Sequence, residues 1–232
     1  MYPSHMNRAF PLASTAALIA EPVRAAILTA LLDDRARCAG ELARAANTSA
    51  QSASMHLSQL LAGGLLKVMQ QGRHRYYSIA SRHVAHAVEA LVTISTAPSF
   101  KPASNNRDLC YARTCYDHLA GELAVNLTVM MEQKRFLVPC GEREYEVTPA
   151  GEKFLALWQI DAGSPRATRR PFARRCLDWT ERRYHLAGAL GAAICGKFLE
   201  RRWITREKTT RIVHLSLNGR RELAGFLNLG RR

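Results

Sequence analysis

The sequence contains no apolar run long enough to cross a membrane. A membrane-spanning helix requires about 18–20 consecutive apolar residues, and no run in the 232 residues reaches that length. The first ten residues, MYPSHMNRAF, also lack the order of charged and then apolar residues that marks a signal peptide. We therefore expect a globular cytoplasmic protein with no membrane partner.

Paired cysteine motifs are also absent. The six cysteines lie at positions 38, 110, 115, 140, 176 and 195, and no two of them form a C-x-x-C pair. This spacing indicates neither a zinc ribbon nor a disulfide framework. We expect reduced thiols.

The motifs of several common enzyme classes are missing. The C-terminal half has no G-x-G-x-x-G, no P-loop and no G-x-S-x-G. Its acidic residues are too sparse to suggest a catalytic pair of carboxylates. These absences predict that the protein is not an enzyme.

Acidic residues are the scarcer charged type. Nineteen Asp and Glu against thirty-three Lys and Arg give a net charge of +14. This surplus favours polyanions and supplies affinity for phosphates. Arginine greatly outnumbers lysine, a bias that a GC-rich genome also produces, so charge alone leaves nucleic-acid binding an open question.

A break in the helical pattern divides the chain near residue 100. The stretch TAPSFKPASNNRD, residues 96–108, combines two Pro, two Asn and several small polar residues, which is typical of a linker. The predicted domains are therefore residues 1–95 and 109–232.

Three short helical patterns occupy the first domain. The first begins at Pro22 in PVRAAILTALLDD, the second lies in CAGELARAAN, and the third runs from about residue 50 to Ala62, where Gly63 and Gly64 end it. Asn47, Thr48 and Ser49 supply the turn and the N-cap before the third helix.

The third helix predicts a DNA-reading surface. Its apolar stripe, Ala50, Ala53, Leu57 and Leu60, leaves an outer face that is short, polar and uncharged. Small hydroxyls and amides approach base edges without clashing, and two helices joined by a tight turn form a helix-turn-helix. The residues predicted to contact DNA here are Ser49, Gln51, Ser52, Met55, His56, Ser58 and Gln59. The alternative is a helix that serves only to pack the domain.

A hairpin is predicted directly after this helix. LLKVMQQGRHRYYSI alternates around Gln71 and Gly72. Its tip carries Arg73, His74 and Arg75, which we predict to lie beside backbone phosphates or in a minor groove. A purely structural hairpin is the alternative.

These patterns together resemble a known family. EPVRAAILTALL, ELARAANTSAQSASMHLSQLLAGGLL and GRHRYYSI are similar to the arsenic-resistance repressor (ArsR/SmtB) family of winged helix-turn-helix regulators, over about residues 12 to 95. The resemblance implies a dimeric repressor that binds double-stranded DNA and leaves its operator when an inducer arrives. It assigns DNA binding and dimerisation to residues 1–95.

The same resemblance implies a homodimer built by flanking helices. These would be residues 12 to 20 and HVAHAVEALVTI, whose stripe is Val84, Val88, Leu91 and Val92. A two-fold dimer predicts an inverted-repeat operator.

The metal sites known in this family are incomplete here. Its thiol site would pair Cys38 with a second cysteine where Gly40 stands. Its site on the last helix would keep His83, but Ser81 replaces the acid and Ile94 replaces the next ligand. Neither family site is therefore predicted.

The C-terminal half contains an internal repeat. HLAGEL at His118 and HLAGAL at His185 lie 67 residues apart, and later matches keep an offset of 67 or 68. The copies, at about 114–160 and 176–228, are each predicted to be a helix of about twenty residues, a hairpin and a short closing helix. The expected fold is mainly α with small β-hairpin wings (α+β), and 109–232 is predicted to be an effector or sensor domain.

Two thiols and two imidazoles are the candidate effector residues. Cys115 and His118 are predicted to share one helix face, and Cys176 precedes His185 in the second copy. Such groups suit zinc or a softer metal. The alternatives are two structural histidines that hydrogen-bond across a helix contact, or a pocket for an organic or redox signal.

The sequence therefore predicts a dimeric, sequence-specific DNA-binding regulator whose inducer is an organic, redox or metal signal. No cofactor is certain, although a metal ion such as zinc is compatible with the candidate residues. The alternative is an architectural protein that binds nucleic acid nonspecifically through its charge.

Overall fold

A computed structural model of the chain describes residues 11–72, 74–95, 107–162 and 171–227. Contacts between residues divide the chain into two units, Met1–Leu91 and Val92–Arg232. We call them the N-terminal and C-terminal units. Most of the predicted linker lies outside the described residues, but its last two residues already belong to a helix, Arg107–Tyr111. The predicted mixture of helices and small antiparallel sheets is confirmed.

No single helix in the described ranges has the length and apolar composition to span a membrane. Two consecutive helices, Leu12–Ala20 and Pro22–Ala30, reach that length only together, and the chain bends by 87° between them.

The N-terminal unit contains a small helical core covered by a three-stranded sheet. The elements in chain order are α1 (Pro11–Ala20), α2 (Pro22–Ala30), β1 (Arg37–Cys38), α3 (Ala39–Ala45), α4 (Ala50–Ala62), β2 (Leu66–Gln71), β3 (His74–Ile79) and α5 (Arg82–Ile94), the last of which crosses the boundary between the units. The sheet order is β1-β3-β2, with all pairs antiparallel.

Local chemistry sets the limits of α4. The Ser49 side chain accepts a hydrogen bond from the backbone N–H of Ser52 at 3.1 Å, as an N-cap should, and Gly64 has φ +69° just after the helix ends. Ala53, Leu57 and Leu60 are buried. The predicted bounds are therefore confirmed, although Ala50, which was predicted to belong to the buried stripe, is exposed.

The C-terminal unit repeats one order of elements twice. After α6 (Arg107–Tyr111), the first copy is β4 (Arg113–Cys115), β5 (His118–Ala120), α7 (Glu122–Gln133), β6 (Leu137–Cys140), β7 (Glu144–Val147) and α8 (Pro149–Leu157). The second is β8 (Arg174–Leu177), β9 (Tyr184–Ala187), α9 (Gly188–Glu200), β10 (Ile204–Arg206), β11 (Val213–Leu215) and α10 (Leu217–Ala224).

Each copy thus begins with a hairpin, and the prediction of an initial twenty-residue helix was wrong. The HLA segments are strands, and α7 and α9 contain only 12 and 13 residues. Gly121 and Gly188 follow those strands with φ of +86° and +82°, a region that side chains rarely adopt. A backbone carbonyl lies 2.5 or 2.6 Å from the position of an added Cβ, so both turns require glycine.

The two copies are interleaved through matching contacts. Strand β7 pairs with β8 at Glu144 and Arg174, and 68 residues after Glu144 the residue Ile212 pairs with Arg113 of β4. Helix α7 packs against β9, and α9 packs against β5. Each copy therefore completes the other, which supports the predicted repeat.

A buried ion pair joins the two copies. The Arg113 guanidinium donates a hydrogen bond to Asp178 at 2.8 Å, and the side chains are 1% and 0% exposed. Asp178 also accepts hydrogen bonds from the backbone N–H of Gly121 at 2.7 Å and from the hydroxyl of Thr180 at 2.7 Å. Burial opposes ionisation of Asp178, but Arg113, His185 and the Gly121 amide outweigh it and hold the pKa of that carboxyl well below its usual range.

The last helix of each copy, α8 or α10, packs closely against the backbone of the residue that precedes the second hairpin of the same copy. A Cβ added at Gly151 of α8 would lie 2.1 Å from the carbonyl oxygen of Phe136, and one at Gly219 of α10 would lie 2.1 Å from that of Trp203. Aromatic side chains fill the space between these elements: Phe136, Phe154, Trp158, Phe198, Trp203 and Phe226.

We predict that Gly219→Ala lowers the free energy of unfolding of the C-terminal unit by about 1–3 kcal/mol, because the new methyl group must displace a backbone carbonyl. Gly196→Ala is the matched control, since nothing lies within 4 Å of its added Cβ in the middle of α9. It should raise stability by about 0.5–1 kcal/mol. Urea unfolding of the full chain measures both, and equal effects would contradict the close approach.

We predict that Asp178→Asn lowers the free energy of unfolding by about 3–5 kcal/mol, because it leaves the buried Arg113 without its counterion. The control is Glu200→Gln, which removes the ion pair of Lys197 with a carboxylate that is 65% exposed. That change should cost less than about 1 kcal/mol. A small loss at Asp178 by the same urea measurement would show that the ion pair does not hold the two copies together.

Candidate functional site

The outer face of α4 is open to solvent. Gln51, Met55 and Ser58 are exposed, Met55 by 54%, and Ser52 is half-buried. No charged residue lies between Ala50 and Ala62. The face that was predicted to contact DNA is therefore polar, uncharged and accessible within its unit.

Four of the predicted contact residues have side-chain partners within the chain. One is Ser58, whose hydroxyl donates to the Ser54 carbonyl at 3.0 Å. His56 is only 7% exposed, and its Nδ1 lies 3.4 Å from the Glu21 carboxylate. Its inclusion in the DNA-contacting set was wrong, because position 56 lies next to Leu57 on the inner side of the helix. Ser49 is exposed but uses its hydroxyl as the N-cap. Gln59 is exposed, and its amide oxygen accepts a hydrogen bond from Arg24 at 2.6 Å.

The sequence reasoning did not identify Ser54 and Arg24. Ser54 is exposed one residue before Met55, and its hydroxyl donates to the Ala50 carbonyl at 2.9 Å. Arg24 binds the carbonyls of Ala17 and Leu18 in addition to Gln59, so it joins α1, α2 and α4. The position of Ser54 on the outer face was readable from helical spacing, whereas the contacts of Arg24 were not.

The predicted hairpin is β2 and β3. Gln71 pairs with His74, and Gly72 has φ +59°, so the turn is tight. His74 and Arg75 are exposed, and the Arg75 guanidinium lies 5.6 Å from the centroid of the Tyr77 ring. Arg73 lies outside the described residues.

The two helices predicted to form a dimer present apolar side chains to solvent. Helix α1 contains no charged residue, and Leu12 is 81% exposed. On α5, Leu91 and Ile94 are 44% and 74% exposed. Val88, which was predicted to belong to the dimer stripe, is instead buried within the chain.

The four candidate effector residues converge in the C-terminal unit. The thiol sulfurs of Cys115 and Cys176 and one ring nitrogen each of His118 and His185 all lie within 4.8 Å of one another. The two Nε2 atoms are 3.2 Å apart. Cys176 is half-buried, and the other three side chains are buried. We call these four residues the Cys/His cluster.

Strand pairing, and not a shared helix face, brings the cluster together. Cys115 pairs directly with His118 across the β4–β5 hairpin, and Cys176 pairs with His185 across β8–β9. The cysteines are three and nine residues from their histidines only because the two hairpin loops differ in length. The helix prediction for residues 115 and 118 was therefore wrong, but the residue set brought together is the predicted one.

Carboxylates face the outer nitrogens of both imidazoles. Nδ1 of His185 lies 3.3 Å from Asp178, and Nδ1 of His118 lies 3.4 Å from Asp117. The other ring nitrogens, the two Nε2 atoms, face each other. Burial disfavours a charged imidazole at His185, but Asp178 and Cys115 outweigh burial and raise the pKa of His185. The sequence reasoning missed both acids.

The environment of the Cys115 thiol opposes its ionisation. A hydrogen bond with the Cys176 side chain, together with burial, raises the pKa of the Cys115 thiol to about 11. A reactive cysteine needs a lowered pKa, so this environment disfavours the redox hypothesis. The arrangement can instead hold a cation that displaces the thiol protons.

A family comparison agrees with the helix-turn-helix of the N-terminal unit. Residues 19–68 match the family described as a helix-turn-helix domain. Among solved structures, NolR from Sinorhizobium fredii is 30% identical, with a TM-score of 0.36 over 42% of this chain and 97% of that one. The cadmium metal-sensor CMTR from Mycobacterium tuberculosis is 31% identical, with a TM-score of 0.32 over 39% of this chain and 99% of that one.

One similar protein covers nearly the whole chain. It is named an uncharacterized HTH-type transcriptional regulator, YdfF, from Bacillus subtilis, and is 39% identical over 221 residues. The alignment spans 94% of this chain and 97% of that protein. Because the likeness includes both units and the exposed helix-turn-helix, the chain belongs to the family of HTH-type transcriptional regulators.

Proposed function

We propose that the protein is a dimeric, sequence-specific transcriptional repressor of the arsenic-resistance repressor (ArsR) type. The observation that carries the proposal is the exposed outer face of α4, which has no charge and presents Gln51, Met55 and Ser58. A face that only met water would carry Lys or Glu, whereas this one suits the edges of bases in a major groove.

The side chains of this face have the chemistry of direct readout. The Gln51 amide can both donate to and accept from an adenine edge, and the Ser58 hydroxyl, which donates its proton to the Ser54 carbonyl, can accept from a base. Met55 is flexible and apolar, so it can contact a thymine methyl group. These residues would choose the sequence, while contacts to phosphates would position the protein.

Phosphate contacts would come from the hairpin. His74 and Arg75 are exposed on β3 next to the tight turn, and Arg73 precedes them in the sequence. The net charge of +14 adds long-range attraction to DNA. This attraction would speed association and supply the nonspecific part of the affinity.

We propose that α1 and α5 pack against a second copy of the chain. Exposing apolar surface to water is unfavourable, and α1, which has no charged residue, exposes Leu12 by 81%. Helix α5 exposes Leu91 and Ile94 in the same way. In a two-fold dimer the two α4 helices would meet an inverted-repeat operator. The dimer would act in the cytoplasm, where the DNA is.

The C-terminal unit is the proposed receiver of the inducer. The helix-turn-helix lies wholly in the N-terminal unit, so the C-terminal unit is free for a different role. An inducer that bound the DNA-free state more tightly would release the operator. The inducer could be a metal or a small organic molecule, and the raised pKa of Cys115 disfavours a redox signal.

The competing function is nonspecific nucleic-acid binding, which the net charge favours. The two functions differ in discrimination. We predict that the full chain binds an inverted repeat from its own promoter about a thousandfold more tightly than random duplex of equal length at physiological salt. Fluorescence anisotropy with both duplexes measures this ratio, and a ratio near one would favour the nonspecific binder.

Two variants separate base reading from phosphate contact. Gln51→Ala should weaken binding to the operator and leave random duplex unchanged, so discrimination falls by about 1–3 kcal/mol. Arg75→Ala should weaken binding to all duplexes and lower the slope of log K against log salt by about one. Salt titrations with both duplexes distinguish the two patterns.

Lys153→Ala is the control for net charge, because Lys153 is an exposed cation of α8 in the other unit. It should change neither the discrimination nor the salt slope. If Lys153→Ala and Arg75→Ala behaved alike, the effect would come from total charge and the hairpin would have no particular role.

A further inference from the structure

We propose that Cys115, His118, Cys176 and His185 bind one borderline-soft divalent ion of the zinc class through two thiolates and two imidazoles. This site lies in the C-terminal unit, away from the positions at which the resemblance to metal-sensing repressors would place ligands. It stands independently of the proposed DNA-binding function.

The spacing of the donor atoms suits tetrahedral coordination. Two nitrogens bound to one zinc at about 2.0–2.1 Å lie about 3.3–3.4 Å apart in a tetrahedron, and the Nε2 atoms of His118 and His185 are 3.2 Å apart. All four donor atoms lie within 4.8 Å of one another.

The surroundings of the imidazoles are those of metal ligands. Metal-binding histidines usually direct their other ring nitrogen to a carboxylate, which fixes the ring and strengthens the ligand. Asp178 and Asp117 occupy those positions at 3.3 and 3.4 Å from Nδ1 of His185 and His118. Asp178 is itself fixed by Arg113 and the Gly121 amide.

A structural pair of histidines does not account for the cluster. A hydrogen bond between the two Nε2 atoms would require only His118 and His185, and neither thiol. Instead, each hairpin contributes one Cys and one His at directly paired positions, so the same two-ligand unit occurs twice. Two such units facing each other supply a complete set of four ligands.

The charge balance suits a buried position. On binding, the S–H bonds of Cys115 and Cys176 break, two metal–sulfur bonds form, and two protons pass to solvent. One divalent ion with two thiolates and two neutral imidazoles has no net charge. This removes most of the cost of placing an ion among side chains that are 6% or less exposed at three of the four positions.

Four protein ligands leave no open coordination position, so the site is of the closed kind that stabilises a fold. Its two halves come from different copies of the repeat, the hairpins β4–β5 and β8–β9. The ion would therefore cross-link the copies at a second point, beside the ion pair of Arg113 with Asp178.

Cobalt(II) titration tests the site in the full chain. Protein purified with reductant and stripped with chelator should develop a thiolate-to-cobalt charge-transfer band and the intense visible bands of tetrahedral cobalt, with saturation at one ion per chain. Zinc should then displace the cobalt, and zinc should raise the thermal unfolding midpoint of the stripped protein. Absence of the charge-transfer band from folded, stripped protein would overturn the proposal.

Variants assign the band to the cluster. Cys176→Ser should weaken cobalt affinity by at least about 100-fold, because loss of a supporting residue alone commonly costs 10–100-fold. Cys176→His keeps four ligands and should retain one cobalt per chain with a weaker thiolate band. Cys140→Ser removes an exposed thiol outside the cluster and should change nothing.

The outcomes are read on folded protein, which far-ultraviolet circular dichroism verifies for each variant. If Cys176→Ser bound cobalt as the unmodified chain does, or if Cys140→Ser abolished the band, the assignment would be wrong. The titration contains no DNA, so a chain that binds cobalt but fails to discriminate its operator would refute the regulator proposal alone.

Discussion

The buried ion pair between Arg113 and Asp178 is the constraint on which the C-terminal unit depends. At 1% or less exposure, each charge would be very costly without its partner, so β4, which carries Arg113, must meet Asp178, the residue that follows β8. Asp178 also accepts from the Gly121 amide and faces His185. One carboxylate therefore joins the two copies, positions the turn before α7 and orients an imidazole of the Cys/His cluster.

The two units use polar groups in opposite ways. In the N-terminal unit, Gln51 and Ser58 lie on the outside of a helix that carries no charge, where they are available to a partner. In the C-terminal unit, two thiols, two imidazoles and the buried Asp178 carboxylate lie together, and three of the four thiol and imidazole side chains are buried. An exposed face suits a large ligand such as duplex DNA, and a buried cluster suits an ion.

Much of the N-terminal unit was predictable because its signals are local. Helical spacing, the Ser49 cap and the glycines after Ala62 fixed the bounds of α4, and the exposed face follows from the same spacing. His56 shows the limit of this reasoning. It is polar, yet it is buried, and its ring lies against Glu21, the N-cap residue of α2.

The amino-acid order alone identified the four residues of the Cys/His cluster, since the repeat offset of 67 places His118 and His185 in equivalent positions. It could not supply their geometry. HLAGEL and HLAGAL read as parts of helices, and only the pairing of β4 with β5 and of β8 with β9 sets each Cys opposite its His. Interleaving of the copies then brings the two Cys–His pairs within 4.8 Å of each other and places Asp178 beside His185.

Sequence determines local periodicity and caps, because these depend on neighbours along the chain. The tertiary structure decided which distant strands meet, because that choice depends on burying charges such as Arg113 and Asp178 together.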